Sequence, residues 1–303
     1  MNINVKERLT GIIPEDRVLE NAPMKDYSTF RVGGPAKALV TVFTVSELGS
    51  LTGFLKSENL PYMILGNGSN ILVSDQGYEG VAIRLGGDFE KVAIQGNSVQ
   101  AGAGVLLTKL ALTAQQEALS GIEFAYGIPG TLGGAMVMNA GAYGGEMKDV
   151  TVSVDVLDET GSVRTLTAAE MAFGYRDSVI KHRSLIVLSA MLKLKSGDRD
   201  AIMSVMQEHM NARRSKQPLE YPSAGSTFKR PEGYFAGKLI QDAGLSGKSI
   251  GGAQVSEKHC GFVINRDGAT AKDIDELMNY VKAQVKRTSG VELEPEVIKI
   301  GEF

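Results

Sequence analysis

Two glycine-rich stretches hold the residues best placed to do chemistry through the backbone. Gly66-Asn67-Gly68-Ser69-Asn70 puts two glycines, two side-chain amides and a hydroxyl into five positions. Successive N–H groups in such a turn form an anion-binding nest, and Asn and Ser add donors without adding charge. The same five residues also suit a tight connection between strands. The second stretch is Gly127-Ile128-Pro129-Gly130-Thr131-Leu132-Gly133-Gly134-Ala135-Met136-Val137-Met138-Asn139-Ala140-Gly141-Ala142-Tyr143-Gly144. A core helix does not carry this many glycines without a gain, because each costs about 1 kcal/mol. A flat or extended ligand pressed against the backbone would supply that gain. Two such loops on one chain suggest a large ligand that carries a diphosphate. Gly makes up 36 of 303 residues, well above the ~7% usual in globular proteins, and the excess is concentrated around these loops.

Other familiar chemistry is missing. No GxGxxG stands between a strand and a helix: Gly66-x-Gly68 lacks the third glycine and precedes a strand, so a Rossmann dinucleotide unit is not supported. Gly247-Lys248-Ser249 ends like a phosphate-binding P-loop, but Asp242 stands where the first glycine is required. His182, His209 and His259 have no metal-ligand spacing, and the expectation is that no metal is bound. His209 reads as a packed helix-face histidine. Cys260 reads as a small core residue more readily than as a reactive thiol.

The elements that must carry these loops read as α+β in mixed order. Residues 37–43 form a β-rich run. Thr44 to Glu47 has capping-box spacing, and Leu48, Leu51 and Leu55 give a short amphipathic helix. Residues 61–65 and 71–73 are strands on either side of the first loop, and 80–85 is another. Gly96-Asn97 turns a hairpin between 92–94 and 98–100. A helix is expected over 105–119 with Leu106, Leu107, Leu110 and Ala114 on one face. A second hairpin surrounds 158–161. Thr167 to Glu170 caps a short helical piece, and 185–194 is a buried strand. Lys195-Ser196-Gly197-Asp198 marks a domain boundary. Beyond it, Ile202, Val205, Met206, His209 and Met210 trace a helix face. Thr270 and Asp273 cap a final helix whose stripe is Ile274, Leu277, Met278, Val281 and Val285, with Gly290 just past its end. Residues 296–300 form the last strand.

At roughly 150 residues per domain, 303 residues make about two domains, or three smaller ones. Lys plus Arg total 32 and Asp plus Glu 35, a net charge of −3, which disfavours a dedicated nucleic-acid binder. No apolar run approaches the ~18 residues of a membrane helix, and the polar opening MNINVKERLT has no signal-peptide core. One cysteine excludes an internal disulfide framework. A cytoplasmic protein without membrane insertion is expected.

Taken in order along the chain, several motifs resemble one family. They are Tyr27-Ser28-Thr29-Phe30-Arg31-Val32-Gly33-Gly34-Pro35-Ala36, Leu65 to Asn70, Gly127 to Gly144, Gly174-Tyr175-Arg176-Asp177-Ser178, Ala224-Gly225-Ser226-Thr227-Phe228-Lys229 and Glu294-Pro295-Glu296-Val297. Together they are similar to the UDP-N-acetylenolpyruvoylglucosamine reductases, also called UDP-N-acetylmuramate dehydrogenases, from about residue 20 to the end. The resemblance implies an α+β fold with a two-part FAD-binding domain of the vanillyl-alcohol-oxidase type, in 1–86 and 87–195. A C-terminal α+β substrate-binding domain, 196–303, completes it. It implies non-covalent FAD, NADPH as co-substrate and a UDP-sugar substrate, in peptidoglycan precursor synthesis. A monomer or weak oligomer is expected. In such enzymes the pyrophosphate is held by loops, which accounts for the missing Rossmann turn.

The resemblance also implies roles. Arg176 would clamp the substrate carboxylate, for which the planar guanidinium fork is suited. Glu296 would help hold the enolate-like charge, and Ser226 would donate the proton to carbon. FAD contacts would come from Arg31, Gly66, Asn67, Gly68, Ser69, Asn70, Gly127, Ile128, Pro129, Gly130, Thr131, Gly133, Gly134, Asn139, Ala140 and Gly141. Tyr175, Lys216, Lys229 and Arg230 would meet the substrate. Alone, Tyr-Arg-Asp also reads as a surface ion pair and Gly-Ser as a turn. Arg230 replaces the asparagine of one family branch, and the stretch from Arg176 to Asp198 leaves no room for that branch's tyrosine-bearing lid. The chain therefore resembles the shorter, second type. The rivals are an oxidase or dehydrogenase of another alcohol on the same fold, and a non-enzymatic sugar-nucleotide binder. A covalent flavin would favour the first, but no histidine lies within 127–144.

Overall fold

The computed structural model describes residues 5–303. Its contacts group the chain into two units, each assembled from three segments. Unit 1 comprises the segment ending at Glu20, Ala38–Asn67 and Gly80–Arg213. Unit 2 comprises Asn21–Lys37, Gly68–Glu79 and Arg214–Phe303. The crossing nearest 195–198 falls inside a helix, after Arg213.

Unit 1 has two hydrophobic cores. After α1 (Val5–Thr10) comes α2 (Val45–Ser57), whose Leu48, Leu51 and Leu55 are fully buried beside Val40, Val42, Val81 and Ile83. Those partners belong to a four-stranded sheet ordered Val18–Pro23, Pro35–Val42, Tyr78–Leu85, Tyr62–Leu65. Each such leucine stabilises the fold by roughly 1.5–3 kcal/mol through burial. Thr44 caps α2 as its spacing predicts, accepting from the Glu47 N–H. Glu47 in turn accepts from the Phe43 N–H at 2.7 Å and from both terminal nitrogens of Arg17 at 2.9 and 2.7 Å.

The second core lies under an antiparallel five-stranded sheet ordered Val163–Thr167, Thr151–Leu157, Ile186–Lys193, Ser98–Gly102, Val92–Gln95. Helix α3 (Leu107–Gln116) packs there through Leu107, Leu110 and Ala114. Leu106 is not on that face. It is 46% exposed, because a bridge to Thr131 and the Leu107 N–H to Gly130 carbonyl bond hold it extended at the N-cap. Thr167 and Glu170 exchange their capping bonds, yet 168–171 stays a turn. The glycine-rich run contains a two-turn helix, α4 (Leu132–Met138), capped by the Thr131 hydroxyl and ended by Asn139 at φ 42°. Gly133 is tightly packed there: a Cβ would sit 3.0 Å from the Ala103 Cβ and 3.1 Å from the Ala103 carbonyl oxygen. The 18-residue α5 (Arg199–Lys216) buries Ile202 and Met206, while Val205 is exposed.

Unit 2 is built on α6 (Ala236–Asp242), α7 (Ala271–Ser289) and the antiparallel strands Ser249–Ile250, Ala253–Val255 and Val263–Asn265. The predicted stripe of α7 is buried, the Thr270–Asp273 capping box forms, and Gly290 ends the helix at φ 74°. Asp75 adds a cap from far away in sequence, accepting from the Ala271 and Lys272 N–H groups at 2.8 and 2.9 Å. The last strand, Ile298–Ile300, pairs in parallel with Ile71–Val73. Phe30, fully buried, joins this core.

Candidate active site

The first loop, 66–70, leaves the strand Tyr62–Leu65 and enters Ile71–Val73. Among the described residues, no protein oxygen accepts from the N–H groups of Asn67, Gly68 or Ser69. Three successive donors without a protein acceptor suit a diphosphate oxygen. The side chains are used otherwise. Asn67 Nδ2 donates to the Pro129 carbonyl at 2.8 Å, and Asn70 Nδ2 to the Glu296 carbonyl at 3.1 Å. Gly68 has a reason of its own: at φ 63°, a Cβ would lie 2.0 Å from the Tyr27 carbonyl oxygen. The Thr29 N–H donates to the Gly68 carbonyl at 3.1 Å. Thus the Tyr27 to Ala36 motif packs on this loop. Arg31 in that motif is exposed and left-handed at φ 56°.

The second loop meets the first at Gly66, whose added Cβ would come 2.8 Å from the Thr131 hydroxyl. The N–H groups of Gly130 and Thr131 also have no protein acceptor among the described residues, whereas those of Leu132, Gly133 and Gly134 are bonded within the protein. Gly134 is exposed, with room for a Cβ. Two residues that the sequence did not single out for this loop brace it from α5. Arg213 donates through Nη1 to the Gly127 carbonyl, and Tyr143 stacks on His209 with centroids 4.3 Å apart. His209 is thus packed, as expected. The i, i+4 spacing of 209 and 213 was the available signal. Arg213 Nε and His209 Nδ1 are buried without a protein partner among the described residues. Ile128 and Ala140 are half-buried.

Arg176 sits in a four-residue turn closed by Gly174 and Asp177, with φ 54°. Its Nη2 donates to the Gly141 carbonyl at 3.3 Å, its carbonyl accepts from Lys181 Nζ at 3.1 Å, and its guanidinium lies 5.2 Å from the Tyr175 ring centroid. Tyr175 is exposed. Asp177 pairs with His182, which holds its carboxyl below the usual range.

In unit 2, Ser226 and Glu296 lie on neighbouring segments. Phe228 bridges Pro295, and the Glu296 N–H donates to the Thr227 carbonyl at 2.9 Å. Gly225 is left-handed at φ 74° with nothing near its Cβ position, and Ser226 is exposed. Lys229 pairs with Glu294. Arg230 covers Phe235 at 3.9 Å and donates to the Tyr234 carbonyl. Lys216 is exposed at the end of α5. Among the described residues, no cluster of three His, Cys, Asp or Glu could hold a metal, and no helix is long and apolar enough to cross a membrane.

The open N–H groups, the side-chain-free surface at Gly134 and the buried Arg213 Nε fit a flavin dinucleotide. An FAD-binding-domain profile matches residues 36–167. The protein is an FAD-dependent oxidoreductase with an α+β fold. A second profile, described as the C-terminal domain of UDP-N-acetylenolpyruvoylglucosamine reductase, matches residues 217–300. The UDP-N-acetylenolpyruvoylglucosamine reductase of Alkaliphilus oremlandii is 50% identical over 294 residues, 97% of each chain. That of Clostridioides difficile is 48% identical over 301 residues, 99% of each. The crystal structure of the Thermus caldophilus enzyme matches with a TM-score of 0.81 at 39% identity, covering 94% of this chain and 98% of that one. The chain belongs to the UDP-N-acetylenolpyruvoylglucosamine reductase family.

Proposed function

We propose that Arg176, Ser226 and Glu296 carry out the substrate half of this family's reaction, with FAD lying against residues 66–70 and 127–141. The reaction is the NADPH-dependent reduction of the enolpyruvyl group of UDP-N-acetyl-3-O-(1-carboxyvinyl)glucosamine, giving UDP-N-acetylmuramate for peptidoglycan synthesis. When bound, FAD would supply the hydride chemistry, relaying a hydride from NADPH to the enol-ether methylene carbon. Arg176 offers a fork of donors to the carboxylate as negative charge grows on the adjacent carbon. Ser226 gives that carbon its proton, and Glu296 lies on the segment next to it. A serine hydroxyl is a weak acid, so placement decides the outcome. Tyr175, Lys216, Lys229 and Arg230 meet the sugar nucleotide, Arg31 belongs to the cofactor side, and Asn139 lies on that side through its backbone alone.

The reading includes a three-part division, with FAD held by 1–86 and 87–195 and most of the substrate site in 196–303. It also includes a cytoplasmic monomer or weak oligomer that binds no nucleic acid. The observation that supports the catalytic assignment is the Glu296 N–H to Thr227 carbonyl bond, which runs the segment bearing Glu296 alongside the one bearing the exposed Ser226.

The test is Ser226→Ala in the holoenzyme, followed by stopped-flow flavin absorbance. NADPH consumption needs no serine proton and should stay nearly unchanged. The step that consumes substrate should slow by roughly 10²–10⁴-fold, the usual scale for a positioned acid. Ser226→Cys should recover part of that rate. Equal slowing of both steps would assign Ser226 to pocket shape instead.

A further inference from the structure

Asn139 ends α4 with its side chain fully buried and its backbone left-handed at φ 42°. The backbone role alone needs only a residue that tolerates this conformation, and Gly would serve. The side chain does more. Nδ2 donates to Glu146 Oε2 at 2.6 Å and to the Gly174 carbonyl at 3.0 Å, and Oδ1 accepts from the Lys148 N–H at 2.9 Å. Both amide hydrogens and one acceptor site are therefore spent inside the protein. None of its donors is left for a cofactor.

The Gly174 carbonyl is the point of interest. It also accepts from the Asp177 N–H, while the Gly174 N–H donates to the Asp177 carbonyl at 3.0 Å. These bonds close the turn that presents Arg176 at φ 54°, a conformation a long side chain rarely adopts. Such a conformation persists only where the surroundings over-determine it. Asn139 joins three pieces that do so: the end of α4, the 141–148 segment and the Arg176 turn. The 141–148 segment matters twice, because the Gly141 carbonyl receives Arg176 Nη2. Glu146 is itself fixed by Lys148 and by its own N–H to Asp149 Oδ2.

We propose that Asn139 is a positioning residue for Arg176, holding both the turn that carries the guanidinium and the segment whose carbonyl steers it. The proposal rests on the reading of Arg176 as the carboxylate clamp. Asn139 touches neither substrate nor cofactor through its side chain; it acts through Arg176.

Asn139→Gly keeps the left-handed helix end and removes the amide. Asn139→Asp keeps the acceptor for the Lys148 N–H and removes both donors, so it answers the same question if the glycine variant fails to fold. In either holoenzyme, kcat for the enolpyruvyl substrate should fall about 10–100-fold, with KM moving less. The substrate-consuming step should slow at least tenfold more than the NADPH-consuming step. In an Arg176→Ala background, the same Asn139 change should cost nothing further in kcat, since the two act as a unit. A crystal structure of the variant should show residues 174–177 displaced. An Arg176 turn unchanged in that structure, or equal slowing of both steps, overturns the proposal. Should Arg176→Ala itself leave turnover intact, the clamp reading fails, while the displacement of the turn still decides whether Asn139 positions it.

Discussion

Asn67 Nδ2 stands 2.8 Å from the Pro129 carbonyl oxygen, so one amide ties together two glycine-rich loops more than sixty positions apart in sequence. The bond leaves the loop N–H groups pointing elsewhere. It sets the spacing between the Asn67 N–H and those of Gly130 and Thr131, all in unit 1, which one dinucleotide would have to span.

Asn67→Ala should therefore weaken FAD binding without unfolding the protein. The bond is exposed, and an ordinary hydrogen bond contributes about 0.5–1.5 kcal/mol. The FAD dissociation constant should rise about 2–10-fold, read by titrating apoprotein and following flavin fluorescence. Unchanged affinity would mean that the loops keep their spacing without the tether.

Gly134→Ala separates a cofactor reason for glycine from a folding reason. The new methyl would meet only the Thr131 hydroxyl, at an ordinary 3.7 Å. Apoprotein stability should rise by about 0.5–1 kcal/mol from helix propensity, while FAD content on purification should drop. A more stable protein with full FAD content would show that nothing binds against this face. Gly68→Val cannot make the same distinction, because its side chain would strike the Tyr27 carbonyl whether or not FAD is bound.

Arg176→Lys keeps the charge and loses the planar fork. An interaction strongest in the transition state lowers kcat more than it raises KM. Steady-state turnover with the enolpyruvyl substrate should fall about 10²-fold, roughly 2.7 kcal/mol, with KM changed less than tenfold. A raised KM at full kcat would assign Arg176 to ground-state binding.

The Arg17–Glu47 pair predicts a pH-dependent stability. The Arg17 guanidinium, followed by the Phe43 and Thr44 N–H groups, draws the Glu47 carboxyl down from 4.5 to about 2. A depressed carboxyl stabilises the fold fully above its unfolded value and loses that contribution as pH falls through its folded value. Arg17→Met should cost about 2 kcal/mol at pH 7, the scale of a charge-assisted bond. The gap between the two proteins in urea melts should shrink as pH drops from 4.5 towards 2. A constant gap would mean that Arg17 acts by packing on Phe43.

Much of this was legible where the signal is local. Helix α7 followed from its capping box, its apolar stripe and Gly290, all within one element. Both glycine loops and the motif residues Arg176, Ser226 and Glu296 stood out by composition and resemblance. What stayed hidden depends on distant partners. Leu106 has the right period for a buried face, yet the bridge to Thr131 turns it outward. Gly68 reads as a phosphate glycine until Tyr27 is seen against it. Asn139 reads as a ligand residue until three internal bonds occupy its amide. Arg213 looks like one more surface charge on a polar helix, because only the folded chain brings the Gly127 carbonyl to it.

The pairing of Ile298–Ile300 with Ile71–Val73 bears on how the protein is made. During vectorial synthesis, the strand that follows the first glycine loop emerges from the ribosome more than two hundred residues before its neighbour. Its exposed edge must wait, and so must Asn70, whose amide is satisfied by the carbonyl of Glu296. A chain stalled or clipped short of its last dozen residues loses more than a tail. It lacks the piece that locks a loop read near its beginning, so a nascent chain should mature its flavin site only after release at full length, and a truncated product should not mature it.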